Sequence, residues 1–202
     1  MKPKTRQLRG FYAVVDVSGG RADPCAAVVQ LRIKPAPAGV VLAEARRLRA
    51  ELRDALFIVN DRIDIALAAG ADGVHLGQTD IALADARRVA GELLIGVSTH
   101  DLAQVAAAVE GGADYIGYGP VFATGTKRDP DPVQGVDALR AAVARAAPVP
   151  VVAIGGITPE RAAQVAATGC AAACAIASVN GAADPAAAAR AIAAAFRAPS
   201  RP

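Results

Sequence analysis

Residues 68–76 read Ala-Ala-Gly-Ala-Asp-Gly-Val-His-Leu, and the same grammar returns as Glu-Gly-Gly-Ala-Asp-Tyr-Ile-Gly-Tyr at 110–118 and Ala-Thr-Gly-Cys-Ala-Ala-Ala-Cys-Ala at 167–175. Each phrase closes an alanine-rich helical run on a glycine (Gly70, Gly112, Gly169) suited to a left-handed C′ position, then enters a strand after a small residue. A helix that turns so quickly into a strand is one half of a βαβ repeat, and repetition along the chain predicts a parallel sheet. Working outward, strands are expected at Phe11–Asp16, Val28–Lys34, Leu56–Asn60, Gly73–Leu76, Leu94–Val97, Tyr115–Tyr118, Val151–Ile154 and Ala173–Ile176. Helices are expected at Leu42–Arg53, Arg62–Ala69, Ala82–Ala90, Leu102–Glu110, Val136–Arg145, Pro159–Thr168 and Pro185–Phe196. Asp23-Pro24, Thr158-Pro159 and Asp184-Pro185 each pair an N-cap with proline at the first helical position. Eight strands in this repeat fit a closed α/β (β/α)8 TIM barrel better than a doubly wound sheet.

The 202-residue length lies close to the floor of about 200 residues for such a barrel. The economy is local. Only Val-Ser-Gly-Gly-Arg-Ala-Asp-Pro-Cys-Ala-Ala separates Asp16 from Val28, and a parallel crossover with its helix needs about 10–12 residues. A shortened first βα unit is therefore expected; alternatively, 22–30 begin a helix. No linker or change of composition divides the chain, so residues 1–202 read as one domain, with 1–10 as a flexible basic tail.

Composition narrows the function classes. At 53% hydrophobic and 20% charged the chain is well above the apolar content of disordered proteins. The net charge of +3 is too small, and the 3% aromatic content too low, for a nucleic-acid surface with base-stacking platforms. The cations at Arg46, Arg47, Arg49 and Arg53 read as a solvated helix face. No apolar run approaches the ~18 residues of a membrane span, and the N-terminus lacks a signal-peptide core. Three cysteines, Cys25, Cys170 and Cys174, form no disulfide framework and point to a reducing, cytoplasmic setting with small buried thiols.

In barrels of this kind the site is built from the loops after the strands. After the second strand, alternation puts Gln30, Arg32 and Lys34 on one face, a set suited to an anionic phosphate. After the third and fourth come Asn60-Asp61 and His75 with Asp80; two acids at successive strand ends suit Mg2+, although each also suits helix capping. Ser98 and Thr99 end the fifth strand, as phosphate donors or caps. The sixth runs into a Gly-rich loop carrying Thr124, Thr126 and Lys127, read as a phosphate-gripping lid. After the seventh and eighth, Gly155-Gly156 and Ile176-Ala177-Ser178 suit the phosphate site usual there, made of backbone N–H groups at a helix N-terminus.

In order, Gln-Leu-Arg-Ile-Lys (30–34), Val-Asn-Asp-Arg (59–62), 70–80, Gly-Val-Ser-Thr-His (96–100), 112–127 and Val-Val-Ala-Ile-Gly-Gly-Ile-Thr (151–158) resemble the thiamine phosphate synthase (thiamine-phosphate pyrophosphorylase) family from about Val28 to Ala183. The resemblance implies a transferase of a non-methyl alkyl group. It would couple hydroxymethylpyrimidine diphosphate to a thiazole phosphate, giving thiamine phosphate and pyrophosphate by Mg2+-assisted dissociative displacement. It further implies that Arg32, Lys34, Asn60 and Lys127 hold the diphosphate and that Asp61 and Asp80 bind Mg2+. Gln30, His75 and Ser98 would line the pyrimidine pocket; Thr124, Thr126, Gly156 and the amides around Ile176–Ser178 would hold the thiazole phosphate. Among these, Arg32, Lys34, Lys127 and Ser98 are the expected catalytic residues.

The chain departs from the family pattern at Ile33, usually Glu, at Ala123, usually Pro, and at 171–179. A thiazole tautomerase-like isomerase on the same barrel is the alternative, and Pro120, where that relative carries His, counts against it. A non-catalytic phosphate-binding barrel is the third reading. The expected partners are small molecules rather than nucleic acid or membrane, and a homo-oligomer is compatible with the sequence.

Overall fold

The computed structural model describes residues 2–17, 20, 23–125 and 131–197. Eight parallel strands, β1 (Gly10–Val15), β2 (Val28–Leu31), β3 (Leu56–Asn60), β4 (Gly73–Leu76), β5 (Leu94–Thr99), β6 (Tyr115–Tyr118), β7 (Val151–Ile154) and β8 (Ala172–Cys174), close in sequence order. Closure is made by β1 on β8, with Phe11 opposite Ala173. The expected (β/α)8 barrel is what the chain forms.

Strand alternation divides the apolar residues between two layers. Tyr12, Val14, Val28, Leu56, Ile58, Leu94, Tyr115, Val152, Ala172 and Cys174 fill the lumen. Phe11, Val29, Leu31, Phe57, Val59, Val74, Ile95, Val97 and Ile116 face the surrounding helices. Those helices are α1 (Ala38–Glu51), α2 (Ile63–Ala68), α3 (Leu83–Val89), α4 (Leu102–Glu110), α5 (Gly135–Ala146), α6 (Pro159–Ala166), α7 (Ala177–Asn180) and α8 (Pro185–Ala195). Their inward positions are largely alanine, with Ala45, Ala66, Ala86, Ala142, Ala162 and Ala189 fully buried. Small residues bring each helix close to the sheet, at the cost of little apolar area per contact. Asp101 caps α4 by accepting from Gln104 N–H, and Asp184 caps α8 by accepting from Ala187 N–H.

The shortened first unit lies where the spacing placed it. No helix stands between β1 and β2 among the described residues. Asp23-Pro24 opens a turn instead of a helix, because the Asp23 carboxylate accepts from Cys25 N–H two residues on and Val28 already belongs to a strand. α8 packs on β1.

Several boundaries differ from expectation. β2 stops at Leu31, not Lys34, because its partner β1 ends opposite it at Val15. β8 is Ala172–Cys174 rather than Ala173–Ile176, and the chain turns at once into α7, an added helix with no apolar period long enough to announce it. Gly70, Gly112 and Gly169 do take the left-handed conformation.

The basic N-terminus is not a free tail. Residues Pro3–Gln7 form a 3-10 turn beneath the barrel, and Leu8, 1% exposed, enters the lumen from below. Lys4 pairs with Asp72 at 2.6 Å, and Lys2 donates to Leu93 O at 2.6 Å. Asp72 and Asp114 hold equivalent places in the repeat: each accepts from a backbone N–H of the preceding strand, Phe57 and Ile95, and pairs with a helix arginine, Arg49 and Arg87. Arg49 is thus tied to the barrel floor and is not part of a solvated face.

Candidate active site

The mouth of the barrel gathers the strand-end residues. Gln30, at the lumen face of β2, is buried and lies between two partners: Tyr12 Oη donates to its Oε1 at 2.7 Å, and its Nε2 donates to Asn60 Oδ1 at 2.7 Å. Arg32 and Lys34 lie just beyond the C-terminal end of β2, Arg32 half-buried and Lys34 exposed. The Lys34 ammonium forms an ion pair with Asp61 Oδ2.

Asp61 follows β3 and is the one non-glycine with positive φ among the described residues, at 61°. Aspartate tolerates that region better than most side chains. Its N–H donates to His75 O at 2.8 Å, and its carboxylate pairs with Lys34. Asp80 Oδ2 accepts from Gly77 N–H at 2.7 Å. Neither acid caps a helix, since Arg62 and Ala82 hold the N-cap positions of α2 and α3; the capping alternative falls away. Burial raises the Asp61 pKa, Lys34 pulls it back, and the neighbouring Asp80 carboxylate raises it again.

Deeper in the lumen, His75 of β4 bridges two hydroxyls, Tyr115 Oη at 3.0 Å from Nδ1 and Ser98 Oγ at 2.9 Å from Nε2. Burial lowers its pKa to about 4, so the ring is neutral at physiological pH. Tyr115 Oη also meets Tyr12 Oη at 3.1 Å. Burial raises the pKa of both phenols, which keeps them protonated. Gly96 makes this possible: a Cβ there would fall inside the Tyr115 ring. Thr99 does not face the site, because it is buried and donates to Gly117 O.

Across the mouth, Gly156 sits at φ 61°, with Ala123 O and Phe122 so close that any Cβ would collide. Arg161 donates to Gly156 O at 2.6 Å and lies 4.5 Å over the Phe122 ring, fixing this turn against the β6–α5 loop. Ile176 precedes α7 as its N-cap. Ser178 is half-buried and its hydroxyl donates to Ile157 O at 2.7 Å, leaving its backbone N–H as the group available to an anion. Thr124 is half-buried at the start of the β6–α5 loop. That loop returns to where it leaves: Gln134 N–H donates to Pro120 O and Gly135 N–H to Val121 O. Thr126 and Lys127 lie outside the described residues.

The structure therefore brings Gln30, Arg32, Lys34, Asn60, Asp61, His75, Asp80 and Ser98 to one side of the mouth, with Thr124, Gly156, Ile176 and Ser178 on the other. Sequence reasoning missed Tyr12 and Tyr115, whose signal was the strand parity that puts them on the lumen face with Val14 and Gly117.

The family model described as thiamine monophosphate synthase matches residues 14–179. A thiamine-phosphate synthase of Anaeromyxobacter dehalogenans is 49% identical over 179 residues, covering 83% of this chain and 78% of that protein. One from Chloroflexus aurantiacus is 47% identical over 165 residues, covering 80% and 74%. Among solved structures, thiamine phosphate pyrophosphorylase from Pyrococcus furiosus superposes with a TM-score of 0.84 at 35% identity, over 95% of this chain and 96% of that one.

Proposed function

The chain belongs to the thiamine monophosphate synthase family, and from that premise we propose how its own residues serve the reaction. The enzyme is a transferase that joins hydroxymethylpyrimidine diphosphate to a thiazole phosphate, releasing pyrophosphate. The observation that carries our assignment of roles is the Lys34–Asp61 pair, with Asp80 beside it, at the strand ends that carry the Gln30–Asn60 amides.

The pyrimidine lies against Gln30, His75 and Ser98. Its diphosphate projects towards Arg32, Lys34 and Asn60, joined by Lys127. The bond to a benzylic-like carbon breaks by departure of the diphosphate, so these residues stabilise charge growing on the leaving group, and no side-chain nucleophile is needed. A neutral His75 and a hydrogen-bonded Ser98 face the cationic pyrimidine without adding positive charge.

The donor set suits Mg2+. Asp61 and Asp80 offer hard carboxylate oxygens in mutual contact, and burial together with the Asp80 carboxylate disfavours a bare charge on Asp61. No third His, Cys, Asp or Glu joins them among the described residues. The remaining positions would go to diphosphate and water, as is usual for this ion. When bound it would neutralise the departing diphosphate.

On the opposite side, the Gly156 turn, Thr124, Thr126 and the N–H groups of Ile176 and Ser178 hold the thiazole phosphate. Backbone donors serve here, so the altered side chains at 171–179 leave the site usable. Among the described residues no helix is long and apolar enough to cross a membrane. Cys25, Cys170 and Cys174 are all unbridged, in keeping with our placement of the enzyme in a reducing cytoplasm.

The test is incubation of the purified protein with both phosphorylated substrates, with Mg2+ or with EDTA, and detection of thiamine phosphate. Metal-dependent product is expected. A folded protein that makes none overturns the reading, and product insensitive to EDTA overturns the metal assignment.

A further inference from the structure

Six lumen side chains from six successive strands, β1 to β6, join in one chain of hydrogen bonds. Ser98 Oγ meets His75 Nε2 at 2.9 Å, His75 Nδ1 meets Tyr115 Oη at 3.0 Å, and Tyr115 Oη meets Tyr12 Oη at 3.1 Å. Tyr12 Oη then reaches Gln30 Oε1, and Gln30 Nε2 reaches Asn60 Oδ1, each at 2.7 Å. A phenol has one proton and a neutral imidazole one N–H, so the direction of each bond constrains the next.

The Gln30 carbonyl only accepts, so Tyr12 spends its proton there. Tyr12 must then accept from Tyr115. Tyr115, its proton spent, must accept from His75 Nδ1–H. His75 Nε2 is left unprotonated and accepts from Ser98 Oγ–H. Every bond runs one way, from Ser98 to Asn60.

We propose that Tyr12 and Tyr115 are positioning residues whose hydroxyls carry this one-way relay and thereby fix which groups of Gln30 and Ser98 donate and which accept towards the pyrimidine. This rests on reading Gln30, His75 and Ser98 as the pyrimidine side of the site. With one Oε1 lone pair given to Tyr12 and one Nε2 proton given to Asn60, Gln30 keeps one acceptor and one donor side by side. That edge matches a ring nitrogen next to an exocyclic amino group. Ser98, having donated its proton to His75, keeps only lone pairs and can only accept. An amide free to flip would present the inverted edge as readily, and the phenol prevents it at a depth where an unpaired polar group is costly.

The test reads protonation directly. The chain has two histidines, so imidazole 15N resonances assign readily, with His100→Gln identifying His75. At pH 8, without substrate, the intact protein is expected to show His75 protonated on Nδ1. Protonation on Nε2 reverses the relay and overturns the proposal. In Tyr12→Phe, which keeps the ring, Tyr115 loses its acceptor and turns its proton to His75 Nδ1, so His75 switches to the Nε2–H form.

In steady-state assays the KM for the pyrimidine diphosphate should rise at least ~10-fold in that variant, the scale of one unsatisfied buried partner. The KM for the thiazole phosphate should stay within about 2-fold, whereas a merely structural lesion would move both. An unchanged tautomer, or an unchanged pyrimidine KM, overturns the proposal. Should the intact enzyme form no thiamine phosphate, the function reading fails, while the tautomer measurement still decides the relay.

Discussion

The Lys34 ammonium reaches the Asp61 carboxylate from the neighbouring strand end, so the cation that restrains this half-buried acid comes from the cluster we assign to the diphosphate. Asp61 carries its charge at a cost, since burial and Asp80 both raise its pKa above the ordinary carboxylate value.

Asp61→Asn is accordingly expected to separate activity from stability. Asparagine tolerates the left-handed φ and removes the repulsion with Asp80, so unfolding free energy should stay level or rise slightly. Turnover should fall at least ~100-fold, because a partner of developing charge is gone. Near-normal turnover at saturating Mg2+ would show that the diphosphate site is elsewhere.

Two glycines should respond with opposite sign to the same methyl group. Gly96→Ala drives a Cβ into the Tyr115 ring and should cost about 1–3 kcal/mol in denaturant unfolding. Gly39→Ala, in the first turn of α1 with open space around the added atom, should stabilise by about 0.5–1 kcal/mol. Equal effects would contradict the packing described for Tyr115.

The N-terminal segment offers a contrast between burial and charge. Leu8→Ala empties the floor of the lumen and should cost about 2–5 kcal/mol. Lys4→Ala loses a pair whose lysine side chain is 58% exposed and should cost less than about 1 kcal/mol. Thermal unfolding of both variants checks this, and an unaffected Leu8→Ala protein would restore the tail reading.

His75 sets a pH dependence. Above pH ~6.5 it is neutral in both the folded and the unfolded chain. As pH falls from there towards about 4, the unfolded chain binds a proton that the folded one resists, so stability declines with acidity over that window. The loss attributable to this group by pH 5 is about 2 kcal/mol. Comparing the pH 7.5 and pH 5 unfolding free energies of the native protein and His75→Asn should reveal it; parallel declines would assign the effect to other groups.

Much of this architecture was legible in residue order. The glycine-to-strand phrases at 68–76, 110–118 and 167–175 each report a local event, a helix stopping and a strand starting, and local events survive in sequence. So does the economy between Asp16 and Val28. Strand-end position likewise marked Gln30, Asn60, Asp61, His75 and Ser98 as facing the mouth.

β2 ending at Leu31 was less readable, because a strand stops where its neighbours stop and not where its β-branched residues run out. α7, four residues long, is too short to carry a period. Lys2 and Lys4 looked like a solvated charge run because Asp114 and Asp72 are distant in sequence.

By itself, then, the amino-acid order determined that this chain alternates strand and helix into a closed barrel with one short unit, and which residues stand at the strand ends. Tertiary structure alone decided that Tyr12 and Tyr115, 103 residues apart, would share a hydrogen bond, and that Leu8 would close the floor. The reason is closure. Alternation and capping act within a few residues, whereas the lumen is a space that exists only once β1 pairs with β8, and its contacts depend on where all the strands then stand.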